Sequence, residues 1–457
     1  MGDKSSSECS LPYDVTAVVL SGGSSNNFIS LTQSLPKILL KVGSNTLLYH
    51  TVRNLIINQF KEIIILTSEN ISSLVDENLR VSLNFLRDEF GSEKLPKVSV
   101  MGVPTSDDSS FGSTDSLNYI SEHIKNDFVV LPCDLFGNFD FKSFLLDHLK
   151  SPRLCTVALL DINSLGSAKA KKEVCLGGND FEDWSFKYRV VTALDKSTCS
   201  LLSIAPHLSV ESGESFQLFR YHLVNHANSL ITFDLVDIHV YSFSINIFKV
   251  LRCDFLLNSS IRLDLIPYIV KLQQTPILRE YLKNDNFESL QHELENCSDK
   301  SWKLSDVVFD EFLERTRTFY FIASGESFNC SRVNSIDSLY SANIKCSLTS
   351  KEKIAKKTPK IKNVLLGNSS EVSESAEIKN SVIGNNVKIS DKVKIADSVV
   401  MDNCTIEDNS VVNKSILGTS VTLKENSNVK NSIIKSETIV SENTIADKEY
   451  IPPFIDS

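Results

Sequence analysis

Five segments of 17 residues follow one another without a gap from Asn363 to Asp447, and each repeats the same order of aliphatic and polar positions. Leu366, Ile383, Val400, Leu417 and Ile434 fall in register, and so do Val372, Ile389, Ile406, Leu423 and Val440. A third column holds Ile378, Ile395, Val412 and Val429 and ends on Ala446, with Ile445 beside it. Three aliphatic columns per repeat require a chain that turns three corners per coil and sends one aliphatic side chain inward at each. Asn, Ser, Lys and Asp are then left to face water. β-Branched residues suit the short strands between corners, and each buried Ile or Val contributes about 1.5–3 kcal/mol. One coil cannot bury its own column, so the stack is stable only as an array.

The pattern resembles the hexapeptide-repeat left-handed parallel β-helix. Such a helix has open strand edges at its ends that need cover. The tail KEYIPPFIDS, with Tyr450, Ile451, Phe454 and a Pro-Pro pair, is placed to supply a cap. The broad faces of the coils are expected to pair with another subunit. Some hexapeptide proteins are acyltransferases that use a histidine on the helix. All eight histidines of this chain lie at or before His292, so a structural or assembly role is expected for the repeat.

Upstream, residues 15–160 alternate apolar runs with amphipathic stretches. VTAVVL (15–20), EIIILTS (62–68), KVSVMGV (97–103) and FVVLPCD (128–134) read as strands, and 47–59, 71–86 and 115–124 read as helices. Continuous Val/Ile/Leu runs between helices indicate an α/β domain, a parallel sheet covered on both faces. Ligands of such sheets sit beyond the C-terminal strand ends. The first of these ends carries LSGGSSNNFISLTQSLPKILLKVGS (20–44). It resembles the sugar-nucleotidyltransferase signature, in which a strand runs into Gly-Gly-x-Gly-Thr-Arg-Leu and then Leu-Thr-x-x-x-Pro-Lys. Glycines there let backbone N–H groups approach a triphosphate, and the arginine neutralises charge at the transferring phosphorus.

Gly22, Gly23, Leu31, Thr32, Pro36 and Lys37 match, whereas Ser25, Asn26 and Asn27 stand where the third Gly, the Thr and the Arg belong. Losing such a transition-state contact costs about 10²–10³ in rate. GSTDSL (112–117) resembles the Gly-Thr-Ala stretch that reads the base, and LPCD (131–134) the turn whose Asp134 would hold Mg²⁺. The Glu-Lys-Pro motif is absent, and VDIHVYSF (236–243) replaces the usual Asn-x-Gly-x-Tyr strand. A Rossmann-like nucleotidyltransferase domain with a retired site is therefore expected, with no catalytic residue, metal or cofactor. Gly22, Gly23, Ser25, Asn27, Lys37, Gly112, Asp115 and Asp134 would be its remnant nucleotide pocket.

The domain plan reads as a flexible N-terminus (1–14), a nucleotidyltransferase-like domain (15–345) with an insert or loop at 274–304, a basic linker (346–362) and the β-helix (363–457). KEKIAKKTPKIK (351–362) has six lysines against one glutamate and reads as a solvated tether. The amphipathic stretch 260–273 should close the first domain as a helix. Taken in order, the broken phosphate loop, IPYIVKLQ (266–273), SRVNSIDSLYSAN (331–343) and the β-helix resemble the gamma-subunit family of translation initiation factor 2B, a guanine-nucleotide exchange factor complex. The resemblance implies a non-catalytic regulatory subunit that pairs with the epsilon subunit and joins alpha, beta and delta subunits in a decamer. Initiation factor 2 would be the client, in the cytosol, with no DNA or membrane contact. The competing readings are a sugar-1-phosphate nucleotidyltransferase of the mannose-1-phosphate guanylyltransferase type, or its non-catalytic regulatory subunit. A formal charge of −10 argues against a general nucleic-acid binder. Ten cysteines without a CxxC pair read as reduced thiols rather than a disulfide framework or zinc site.

Overall fold

The computed structural model describes residues 14–22, 35–104, 112–151, 153–165, 188–218, 224, 226–251, 256, 258–272, 318–323, 328–349 and 360–451. The first domain opens with β1 (Thr16–Leu20), α1 (Leu47–Ile57), β2 (Glu62–Ser68), α2 (Glu69–Phe90), β3 (Lys97–Val103), α3 (Ser113–Tyr119) and β4 (Phe128–Pro132). It continues through β5 (Leu135–Phe139), α4 (Phe141–Leu149), β6 (Cys155–Asp161), β7 (Arg189–Asp195), β8 (Ser200–Pro206) and β9 (Ser229–Phe243). It closes with α5 (Ile266–Leu272), β10 (Thr318–Ala323), β11 (Phe328–Arg332) and α6 (Ile336–Thr349).

Nine strands form one mixed sheet in the order β3-β2-β1-β4-β9-β6-β10-β8-β7. β1 to β4 are parallel, with Val18 level with both Ile64 and Val130. The alternation of the strands sends Val19, Ile63, Ile65, Val129 and Leu131 to one face, against Leu48, Val52 and Leu79 of the helices. Val18, Ile64, Leu66 and Val130 go to the other face, against Leu117, Ile266 and Ile269. Both faces are thus dry, as the unbroken apolar runs require. α2 is longer than its apolar period suggests. It runs on to Phe90 and stops where Gly91 takes φ 83°, a conformation that glycine adopts without strain. β9 enters antiparallel between β4 and β6 and carries a bulge between Asp237 and Tyr241, with His239 at φ 61°. The stretch 260–273 is helical from Ile261 to Leu272, with a π-type turn (Ile261–Leu265) ahead of α5.

In the second domain the aliphatic columns stack as parallel ladders. Ile378, Ile395, Val412, Val429 and Ala446 pair in succession. Val372 to Val440 form a second ladder. Leu366 to Ile434 form a third, and it extends one rung further to Ile451. The tail therefore begins as another rung rather than only as a cap, while Phe454 and the two prolines lie outside the described residues. From the second coil on, each coil turns on three residues of positive φ, for example Asn380, Asn386 and Lys392, and the same positions recur one coil later at Asp397, Asn403 and Asn409. Asn and Asp occupy many of these corners because they tolerate the left-handed region better than other side chains.

The expectation that serines face water needs correction. Ser381, Ser398, Ser415 and Ser432 are all at most 1% exposed. Each hydroxyl donates to the carbonyl two residues back and accepts the backbone N–H of the residue one coil later. A small hydroxyl at a corner can satisfy both backbone groups, so burial costs it little. α6 runs to Thr349, with Ile344 and Cys346 packed inward, and the first β-helix strand begins at Ile361. Residues 1–13, the insert at 274–304 and most of the basic linker lie outside the described residues.

Candidate functional site

β1, β2 and β4 end side by side, and the residues after β4 turn back into β5. β11 pairs antiparallel with β5, which sets Arg332 opposite Leu135 and next to Asp134. Val333 N–H donates to the Asp134 carbonyl at 2.8 Å and fixes the crossing. The Asp134 carboxylate, 2% exposed, accepts two hydrogen bonds of 2.8 Å from Nε and Nη2 of Arg332. It also accepts from Lys37 Nζ. Lys37 is delivered by the short helical turn Lys37–Leu39, whose Ile38 and Leu39 are buried, and it donates to Asn334 Oδ1 at 2.8 Å. Asn334 in turn donates to the Tyr188 hydroxyl.

A second buried carboxylate stands behind this one. Asp237 accepts from the Tyr241 hydroxyl at 2.8 Å and from His239 N–H at 2.7 Å, and Arg262 Nε lies 3.7 Å away. The β9 bulge makes this possible by turning the backbone so that Asp237 and the His239 N–H meet. The guanidiniums of Arg262 and Arg332 both lie over the Tyr188 ring, 5.1 and 5.3 Å from its centre, and His239 meets the same ring edge-on.

Burial opposes the charged form of Asp134, but Arg332 and Lys37 outweigh it and hold the carboxyl well below the usual carboxylate range. Burial wins at Asp237, whose carboxyl is raised despite Arg262. Burial, reinforced by Arg332 and Arg262, pushes the His239 imidazole well below its usual value, so it stays neutral. Cys133, beside Asp134, is pushed up to about 11 by burial and the neighbouring carboxylate, and at neutral pH it remains a thiol.

Of the residues expected in the pocket, Lys37 and Asp134 meet directly. Gly112 and Asp115 do a different job. Asp115 accepts the N–H groups of Gly112 and Asn258 at 2.9 and 2.8 Å, and the Thr114 hydroxyl bonds to Leu256 and Ser259. A Cβ at Gly112 would fall 2.2 Å from the Ser259 carbonyl oxygen, so this glycine permits a backbone approach within the chain. Gly22 is exposed, and among the described residues nothing would lie within 4 Å of a Cβ there. Gly23, Ser25 and Asn27 lie outside the described residues. Arg332, Asn334 and Tyr188 also belong to the site, and no residue-type signal marks them. The first two sit within SRVNSIDSLYSAN, but nothing local says that Arg332 reaches a residue 198 positions away.

The nucleotidyltransferase resemblance implies Mg²⁺ at Asp134, and the residues present do not fit it. A carboxylate offers about four lone-pair directions. Three are taken here by N–H donors that already carry positive charge. Among the described residues no group of three or more His, Cys, Asp or Glu could hold a metal ion.

The same stretch of chain joins the two domains. Ser335 and Ser338 exchange hydroxyl and N–H bonds at the start of α6 in a reciprocal cap. Further along α6, the Tyr340 hydroxyl donates to the Asp397 carbonyl at 2.6 Å. Asn343 accepts from Gly43 N–H at 2.8 Å, and Lys41 pairs with Asp402 of the β-helix. Leu40, Val42, Leu47, Val333, Leu339 and Ala342 form a core with Leu365, Val382, Val399 and Ile416, the outward column of one β-helix face. One broad face is therefore covered by the chain's own first domain. No helix among the described residues is long and apolar enough to cross a membrane.

Residues 16–164 match the family model "Nucleotidyl transferase", and residues 346–446 match "EIF2B subunit epsilon LbH domain", a left-handed β-helix. Among curated proteins, the chain is 25% identical over 355 residues to "Translation initiation factor eIF2B subunit gamma" of Schizosaccharomyces pombe, covering 77% of this chain and 67% of that protein. In its order of domains, a nucleotidyltransferase-type domain followed by a hexapeptide-repeat β-helix, the chain is similar to the proteins of the two matched models and to this gamma-subunit relative.

Proposed function

We propose that this chain is a subunit of translation initiation factor 2B and acts there without catalysis of its own. Its two domains pair with the epsilon subunit, and the pair joins alpha, beta and delta subunits in a decamer that promotes GDP–GTP exchange on initiation factor 2 in the cytosol. The observation that carries the non-catalytic part is the engagement of Asp134 by Arg332 and Lys37. A carboxylate needed for metal-assisted transfer would have to keep lone pairs available. The loss of the arginine position at Asn27 points the same way. Support for the subunit role comes from the gamma relative and the epsilon-type β-helix model, which together span the chain's two domains.

The test is affinity purification of the tagged chain from its own cells at moderate salt, with stoichiometric partners identified. Recovery of a larger nucleotidyltransferase-like subunit and three related subunits, with GDP release from initiation factor 2, supports the proposal. Recovery of a sugar-nucleotide enzyme, or of the chain alone releasing pyrophosphate from a nucleoside triphosphate and a sugar phosphate, overturns it.

A further inference from the structure

We propose that Arg332 is a resident cation that takes the place of a divalent metal at Asp134, and that this ion cluster is the clasp holding α6, and with it the β-helix, against the sheet. The inference goes beyond the subunit role and does not depend on it.

The first argument is charge and shape. Lys37 and Arg332 bring two positive charges to one carboxylate, the charge that a divalent ion would bring. The planar fork of Arg332 meets the carboxylate with two parallel bonds of 2.8 Å, the geometry in which arginine binds carboxylates most specifically. The second argument is permanence. Arg332 lies at the end of a five-residue antiparallel pairing with β5, from Phe328 opposite Phe139 to Arg332 opposite Leu135. Its residue is 9% exposed and its guanidinium also lies over Tyr188. A metal arriving at Asp134 would have to strand a buried guanidinium without its carboxylate, which is strongly unfavourable.

The third argument is where the arginine sits in the chain. Between Arg332 and Asn343, one short stretch supplies the ligand of Asp134, the acceptor for Lys37, the cap of α6 and the contacts to Asp397 and Gly43. A metal ion would neutralise Asp134 without gripping this stretch. An arginine neutralises it and at the same time fixes the start of α6. The apolar contacts of α6 with Leu365, Val382 and Val399 then depend on a helix whose first turn is anchored by charge.

The experiment combines a Mn²⁺ titration, read by electron paramagnetic resonance, with amide hydrogen exchange on the full chain. The wild-type chain should show no Mn²⁺ binding that disappears in Asp134→Asn. Arg332→Gln should speed exchange across Ile336–Thr349 by about tenfold or more while the central coils 399–423 keep their protection. The paired variant Arg332→Gln, Asp134→Asn, whose neutral side chains can still hydrogen-bond, should recover most of that protection. Wild-type Mn²⁺ binding that requires Asp134, or unchanged α6 exchange in Arg332→Gln, would overturn the proposal. Should Arg332→Gln fail to fold, the wild-type titration and the paired variant decide it alone. Neither readout involves initiation factor 2 or a partner subunit, so failure here is distinguishable from failure of the subunit role.

Discussion

The chain buries polar groups in two contrasting ways. At the end of β4, Lys37, Asp134, Arg332, Arg262 and Asp237 form a charged cluster assembled from distant parts of the sequence. In the β-helix, Ser381, Ser398, Ser415 and Ser432 form a neutral ladder in which every member makes the same two bonds as the one before. The charged cluster is held by its weakest member, because removing one partner leaves a buried charge uncompensated. The ladder is forgiving, since losing one member forfeits two neutral hydrogen bonds and strands no charge, and the coils above and below remain. Uniqueness and redundancy are thus built into the two different domains of the molecule.

Breaking the cluster should have the largest effect. Arg332→Leu should cost about 3–5 kcal/mol of stability in urea unfolding, because Asp134 is left buried with a single cation. If the loss is no larger than that of a surface substitution, the two regions do not differ as described. Next comes the aliphatic stack. Leu423→Ala, at a fully buried position in the fourth coil, should cost about 3 kcal/mol, with protection lost from the adjoining coils but kept in β1 to β4 in hydrogen exchange.

Mild acid should separate the two regions more gently. His148 is buried against Thr156, and burial with Arg153 lowers its imidazole to about 3. Its folded value lies below the unfolded one, so its contribution is complete above about pH 6.5 and is lost as pH falls towards 3. Each pH unit in that window should cost the first domain about 1.4 kcal/mol for this residue, and His148→Gln should flatten the slope. Asp134 is also depressed, so its own contribution persists until pH drops below the ordinary carboxylate range of about 3.9. The repeats contain no histidine, and their melting should be flat until pH reaches the ordinary carboxylate range of about 3.9, where Asp391, held low by Ser373 and Ser375, begins to contribute. The smallest effect belongs to the ladder. Ser398→Ala removes the acceptor for Ser415 N–H and should lower β-helix stability by about 1–2 kcal/mol, read by thermal unfolding.

This contrast also explains what could be read from residue types alone. The aliphatic columns were visible because a period of 17 places Ile395 under Val412 in the sequence as it does in space. The parallel strands were visible because a sheet covered on both faces needs runs such as EIIILTS. The serines were misplaced because hydroxyls usually face water, and only the corner geometry shows that each can satisfy two backbone groups. Lys37 and Asp134 were recognised from local motifs. Arg332 and Asn334 were missed as members of the site because their partners are set by the pairing of β11 with β5, which no local spacing encodes. The bulge at His239 was equally hidden, since VDIHV (236–240) alternates like an ordinary strand.

The regular ladders give the second domain the properties of a graduated rule. Parallel strands stack about 4.8 Å apart, so each coil advances the chain by one fixed increment. The graduations start where α6 grips Leu365 and, among the described residues, run to the exposed side chains of Ile445 and Tyr450. Deleting or duplicating a whole 17-residue coil would shift that far end by one graduation and leave every remaining corner in its place. Any other length change would put the corners out of phase. Evolution or an engineer can therefore alter the reach of this arm only in whole steps.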